Sequence, residues 1–277
     1  MDKTKIIITG ANGMLGHDLQ EKFKDFNLLC FDKDNLDITN YKQVSEIISR
    51  EKPQVVINAA AYTDVDGCET NKDLCMQING YGVGNLAQAC KENDVILVHY
   101  STDYIFNGQN KDGYSEDYNE IDPISVYGQS KALGEKLIKE NCDKYYILRT
   151  AWLYGKNGKN FVDTMIKLGQ EKDELKVVDD QHGSPTFSKD LAQETKKIIA
   201  NLKPDFGVFH VTNSGNCTWF EFAKGIFNIK NIKIKLEPCT SNEFPRPARR
   251  PKYSILLNTK LSELRTWQEA LKDYLKD

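Results

Sequence analysis

Short apolar runs rich in β-branched residues, each bounded by turn residues, punctuate the first half of the chain: Lys5–Thr9, Leu28–Phe31, Gln54–Asn58, Val95–Ser101 and Tyr145–Thr150. Between them apolar residues fall at helical spacing, so strand and helix alternate. That order predicts βαβ units with right-handed crossovers, and hence a parallel sheet covered on both faces. Ile6-Ile7-Ile8 and Val55-Val56-Ile57 are apolar at consecutive positions, as strands buried on two faces must be. A half-solvated strand would alternate instead. The fold class expected is α/β, a doubly wound parallel sheet.

After Thr150 the pattern loosens. It predicts a helix over Phe161–Gln170, a strand over Leu175–Val178, a helix over Lys189–Asn201 and one more sheet strand over Gly207–Val211. Helices over Thr218–Phe227 and Leu261–Leu275 flank a proline-rich stretch, Pro245-Arg246-Pro247-Ala248-Arg249-Arg250-Pro251. No internal repeat or flexible linker is visible. The expected division is a dinucleotide-binding domain over 1–150 and a smaller substrate lobe over 151–277, interleaved with the sheet because 189–211 returns to it.

Composition narrows the picture by exclusion. The chain has 277 residues, and 37 Lys and Arg nearly balance 40 Asp and Glu, so no basic footprint for nucleic acid exists. No run approaches the ~20 apolar residues of a membrane span, and Met1-Asp2-Lys3 passes into a strand without a signal-peptide core, so a cytosolic protein is expected. Seven scattered cysteines read as reduced, buried thiols. The four histidines form no close pair, and no metal is expected.

Directly after the first strand comes Gly10-Ala11-Asn12-Gly13-Met14-Leu15-Gly16, leading into a helix. Glycines at this spacing allow a tight turn, a close approach of backbone to pyrophosphate and close helix packing, with the helix N-terminus facing the phosphates. Asp32 lies at the end of the second strand, where an acid binds adenosine ribose hydroxyls. Its charge favours NADH over NADPH, while Lys33 beside it leaves NADPH open. Asp37-Ile38, in the next loop, is placed to flank an adenine.

Tyr127 and Lys131 are four apart on a helical run through Ile138, hence on one face. A cation beside a phenol brings its pKa toward working range. With 13 tyrosines in the chain such a pair arises by chance, so context decides. The context is Ser101-Thr102-Asp103 at the end of the fourth strand, where ligands of an open parallel sheet sit. Hydroxyl, phenol and ammonium around a nicotinamide make a carbonyl–alcohol redox site.

Gly10-x-x-Gly13-x-x-Gly16, Asn58-Ala59-Ala60-Ala61, Asn79, Ser101-Thr102-Asp103-Tyr104-Ile105-Phe106 and Tyr127-x-x-x-Lys131 occur in the order of the extended short-chain dehydrogenase/reductase family, which the chain resembles. Within it, Leu36-Asp37-Ile38-Thr39, the run Asn58–Asp66, Arg149-Thr150-Ala151-Trp152-Leu153-Tyr154-Gly155 and Asp180-Gln181-His182-Gly183-Ser184-Pro185-Thr186 resemble the dTDP-4-dehydrorhamnose reductases. The resemblance implies a Rossmann-type fold and NAD(P)H-dependent reduction of the C4 ketone of dTDP-6-deoxy-L-lyxo-4-hexulose to dTDP-L-rhamnose. It implies Tyr127 as proton donor, Lys131 on the nicotinamide ribose and lowering the Tyr127 pKa, and Thr102 on the carbonyl oxygen. Ala59, Ala60, Ala61 and Thr63 line the dinucleotide, and Asn79 braces the site.

On the substrate side Asp103, Tyr104 and Trp152 are expected at the sugar, and Arg250 is expected at the diphosphate, being an arginine stiffened by Pro251. Some relatives dimerise around magnesium held by glutamates. The similar positions here carry the shorter Asp18 and Asp190, so no metal is assigned and a homodimer stays an open alternative. Two rival functions remain. One is another nucleotide-sugar reductase or epimerase of the same family; the other is a non-catalytic dinucleotide-binding subunit, like the β subunit of methionine adenosyltransferase.

Overall fold

The computed structural model describes residues 4–201 and 205–276, so Met1–Lys3 lie outside it. Six strands form one parallel sheet: β1 (Lys5–Thr9), β2 (Asn27–Phe31), β3 (Val55–Asn58), β4 (Ile96–Thr102), β5 (Tyr145–Thr150) and an edge strand, Gly207–His210. Their spatial order is edge strand, β5, β4, β3, β1, β2. Consecutive residues of β1 explain the unbroken apolar runs. Ile6 and Ile8 belong to a buried cluster with Leu15 and Leu19 of helix α1 (Met14–Lys22), its C-cap Phe23, and Leu191 of the helix Ser188–Asn201. Ile7 faces the other way, into a cluster with Val44, Ile48, Leu86 and Ile138. Each face is dry because helices cover both. The fold is Rossmann-like. β1 has β2 on one side and β3 on the other, so the winding reverses there and a crevice opens beyond the strands' carboxyl ends.

A third buried cluster stands outside the sheet, with Val162, Met165, Phe222, Ile226, Trp267 and Leu271 among its members. It is built by the helices Phe161–Glu171, Trp219–Lys230 and Trp267–Tyr274 around a parallel pair, Glu174–Val178 with Lys235–Cys239. The edge strand pairs with β5 although it follows much of this lobe in the chain.

Most boundaries shift by a residue or so from the hydrophobic pattern, and two helix starts show why. The helix expected over Leu261–Leu275 begins only at Trp267, where Thr266 and Glu269 form a reciprocal cap. Leu261 and Leu264 instead pack onto the first sheet cluster as irregular chain, so their spacing reflects burial without helix. Thr218 is likewise the cap, not the first turn, of the helix Trp219–Lys230.

Candidate active site

At the end of β1 the chain turns at Gly10 with φ of 66°, a left-handed conformation in which a side chain would also strike the backbone of Ala59 and Ala60. A Cβ at Gly16 would collide with the carbonyls of Gly10 and Ala11. Gly13 is the N-cap of α1 and no side chain caps that helix, which leaves the N–H groups of its first turn for a ligand. Gly13, Met14, Leu15 and Gly16 form one wall of a cavity of about 590 Å3, and Asn58, Ala59, Ala60, Ala61 and Thr63 form the facing wall. Bare backbone on one side and alanines on the other fit a flat dinucleotide.

Asp32 and Asn12 pair with each other and are not among the residues that line the cavity. The Asn12 amide donates to the Asp32 carboxylate, which also accepts the Asp34 N–H at 3.0 Å, while Lys33 is exposed. Asp37 and Ile38 do not line the cavity. Asp37 accepts from the Thr39 N–H and hydroxyl at 2.9 and 2.8 Å in a local turn. Ile38 is buried under Gly82, in the core on the other side of the sheet loop. This corrects the adenine-flanking expectation for Ile38: an apolar residue in that loop is claimed by the core.

The far end of the same cavity collects Thr102, Asp103, Tyr104, Tyr127, Lys131 and Trp152. Ser125 caps the helix Val126–Asn141 by accepting from Gly128 N–H, which sets Tyr127 in its first turn and Lys131 one turn later. Thr102 terminates β4, where its hydroxyl donates to Asp103 Oδ1 at 2.9 Å and accepts the Tyr104 N–H at 3.2 Å. Tyr104 stands edge-on to Tyr127, centroids 5.7 Å apart. Asn79 is buried and reaches both partners it should brace. It accepts the Tyr62 N–H at 2.8 Å and donates to the Tyr62 carbonyl at 2.9 Å and the Ser130 hydroxyl at 3.1 Å, tying the alanine loop to the helix bearing Tyr127.

Burial, and next the Asp103 carboxylate, push the Tyr127 phenol above its ordinary range against a hydrogen bond with Thr102. Lys131 Nζ is engaged by the Tyr100 carbonyl at 2.5 Å and His99 Nε2 at 3.2 Å. Burial pushes Lys131 down to about 8 against the pull of Glu135. The sequence did not mark His99, and it marked Asn58 only as part of the motif Asn58-Ala59-Ala60-Ala61.

Arg250 lies on a second cavity of about 500 Å3 with Phe161, Met165, Leu168, Phe244 and Arg246, and Trp219 lines both cavities. Its guanidinium is paired with Asp66, two contacts of 3.0 Å, and Arg246 binds the same carboxylate at 2.9 Å. Burial raises the Asp66 carboxyl, but hydrogen bonds from Arg250, the Ala248 N–H and Arg246 outweigh it and hold it at about 2. Asp66 was legible only as part of the run Asn58–Asp66; its partner is 184 residues away. Trp152, at a φ of 46°, lines the cavity, stacks on Trp219 with centroids 3.5 Å apart and packs closely on Gly183. Asp18 hydrogen-bonds Ser188, and both Asp190 oxygens are taken by Arg265 at 2.8 and 2.9 Å.

The family model described as the RmlD substrate binding domain matches residues 4–277. The spore coat polysaccharide biosynthesis protein SpsK of Bacillus subtilis is 39% identical, covering 99% of this chain and 98% of its own. A solved dTDP-4-dehydrorhamnose reductase from Clostridium acetobutylicum superposes with a TM-score of 0.94 at 47% identity, covering 98% of each chain. One from Bacillus anthracis, solved in complex with NADP, gives a TM-score of 0.95 at 44% identity over 100% of this chain and 99% of that one.

Proposed function

The chain belongs to the RmlD substrate binding domain family, and we propose that it reduces the C4 ketone of dTDP-6-deoxy-L-lyxo-4-hexulose to dTDP-L-rhamnose with a nicotinamide dinucleotide. The observation that carries this reading is the meeting of Thr102, Tyr127 and Lys131 in one cavity with the glycine turn and the alanine loop. A binding-only protein has no use for a buried phenol and hydroxyl at the carboxyl end of the sheet, which argues against the regulatory alternative.

The dinucleotide, when bound, supplies hydride. The first turn of α1 holds its pyrophosphate, and Asp32, presented by Asn12, holds the adenosine ribose. Thr102 hydrogen-bonds the substrate carbonyl oxygen where negative charge develops, and Tyr127 delivers the proton there. A phenol raised by burial stays protonated at neutral pH, as a donor in the reductive direction must. Lys131 reaches the nicotinamide ribose. Tyr104 and Trp152 take the sugar, and the second cavity takes the nucleotide, with Arg250 at the diphosphate between them. NADH is used at least as well as NADPH because Asp32 repels a 2′-phosphate. A cytosolic location belongs to the same reading; among the described residues no helix is long and apolar enough to cross a membrane.

The decisive experiment follows NADH and NADPH oxidation with dTDP-4-keto-6-deoxy-L-lyxo-hexose beside the UDP and GDP sugars. Turnover with the dTDP sugar is expected. Turnover only with another sugar nucleotide moves the chain elsewhere in the family, and none with any substrate favours the non-catalytic alternative.

A further inference from the structure

Behind the cavity wall, Thr9, Asn58, His99 and Lys131 form one chain of buried polar groups whose donors and acceptors can be assigned. The Asn58 side-chain oxygen accepts the Thr9 hydroxyl at 2.6 Å and the Ala60 N–H at 3.1 Å. A backbone N–H only donates, so that end of the amide is the oxygen and the other end is the NH2. The NH2 lies 3.0 Å from His99 Nδ1, which therefore accepts. His99 is fully buried, and burial, the largest cause, holds it well below its ordinary pKa, so the ring is neutral. A neutral imidazole that accepts at Nδ1 carries its single hydrogen on Nε2. That hydrogen faces Lys131 Nζ at 3.2 Å. An ammonium there sets N–H against N–H, whereas a neutral amine accepts the ring hydrogen and still donates to the Tyr100 carbonyl.

We propose that His99 is a positioning residue for Lys131: locked by Asn58 in the Nε2–H tautomer, it presents a hydrogen to Nζ and favours the neutral amine over the ammonium. The other groups around Lys131 do not reverse this. Glu135, one turn along the same helix, favours the ammonium, but its two oxygens are held by Arg149 of β5 at 2.9 and 2.8 Å. Cys75 faces Lys131 from a neighbouring helix; Tyr127 shares its helix, and Thr102 and Asp103 lie at the end of β4. The consequence is a lysine whose balance shifts further toward the ammonium when a ligand hydroxyl offers Nζ an acceptor in place of His99. Any lowering of the Tyr127 phenol is then tied to an occupied site. This rests on the reading of Lys131 as part of the reductase site.

The test uses no substrate, so it stands apart from the turnover assay. In protein labelled with 15N in its histidine rings and 13C in its lysines, long-range ring correlations report the tautomer, with His99 assigned by the signals lost in His99→Gln. The expected result is the Nε2–H tautomer in the ligand-free protein. Asn58→Asp, whose carboxylate accepts from Nδ1–H, should switch the ring to the Nδ1–H tautomer and raise the Lys131 titration by about one pH unit or more. An Nδ1–H or doubly protonated ring in the wild-type protein overturns the proposal. So does a Lys131 titration that stays in place when Asn58→Asp has switched the tautomer, and so does an equal rise in the double variant Asn58→Asp/His99→Gln, because the added carboxylate by itself favours the ammonium. If His99→Gln does not fold, the Asn58→Asp comparison assigns the ring, and the wild-type tautomer decides the matter alone.

Discussion

Two aspartates, Asp103 in the first cavity and Asp66 beside the arginines of the second, are shifted in opposite directions. Asp103, at the end of β4, is buried, and burial outweighs its hydrogen bonds with Ser254 and Thr102, holding its carboxyl up at about 6. Asp66, at the boundary with the C-terminal lobe, feels burial too, but two guanidinium groups and a backbone N–H hold it down at about 2. The catalytic wall is thus dry, and burial pushes each of its groups toward the neutral form: Asp103 and Tyr127 upward, Lys131 downward. The lobe wall is saturated with paired charge, suited to anchoring an anion and to joining chain segments far apart in sequence. A dry wall makes proton transfer selective, and a charged wall makes capture selective.

The sharpest way to break this contrast is at the catalytic wall. Tyr127→Phe removes the proton donor alone, so kcat should fall by about a hundredfold or more while dinucleotide affinity measured by fluorescence titration stays within about twofold. A variant within about threefold of wild-type kcat would take Tyr127 out of the chemistry.

Stability against pH sharpens the contrast next. The lowered Asp66 stabilises the fold above its unfolded pKa, and that contribution, about 2 kcal/mol, should be lost as pH falls from about 4 through 2. Asp66→Asn should forfeit most of it already at pH 7 and flatten that acid limb in urea titrations. The raised Asp103 has the opposite sign: it opposes folding once ionised, so wild-type stability should rise as pH falls from about 6 toward 4, and Asp103→Asn should abolish that slope. Equal slopes for both variants would mean that the two walls do not differ as described.

Arg250→Ala probes capture with a smaller effect. Its side chain is 18% exposed and already shares Asp66 with Arg246, so a loss of about 1.4 kcal/mol is expected, tenfold in KM for the sugar nucleotide with kcat little changed. An unchanged KM would reduce the Asp66 cluster to a structural clamp. Smallest is Asp32→Ala, where a solvated like charge is removed; the kcat/KM ratio should move toward NADPH by severalfold. Strict NADPH dependence of the wild type would contradict the placement of Asp32.

The amino-acid sequence alone determined what depends on neighbours in the chain. Strands buried on both faces read as unbroken apolar runs, the turn after β1 needs glycine at Gly10 and Gly16 within a few residues, and a helix places Tyr127 and Lys131 on one face by its 3.6-residue period. The strand ends did the rest, since a parallel sheet gathers its carboxyl termini at one edge and so brought Thr102 to the glycine turn. Ile38 shows the limit of that reasoning, because which side of a loop residue faces the core is settled by what packs above it, here Gly82. The same holds for Asp66 with Arg250, Trp152 with Trp219, and His99 between Asn58 and Lys131. These pairings join positions with no fixed spacing, and burial then decides their charge or tautomer. Only the tertiary structure sets those terms, because desolvation and hydrogen-bond satisfaction depend on the neighbours a group acquires in space.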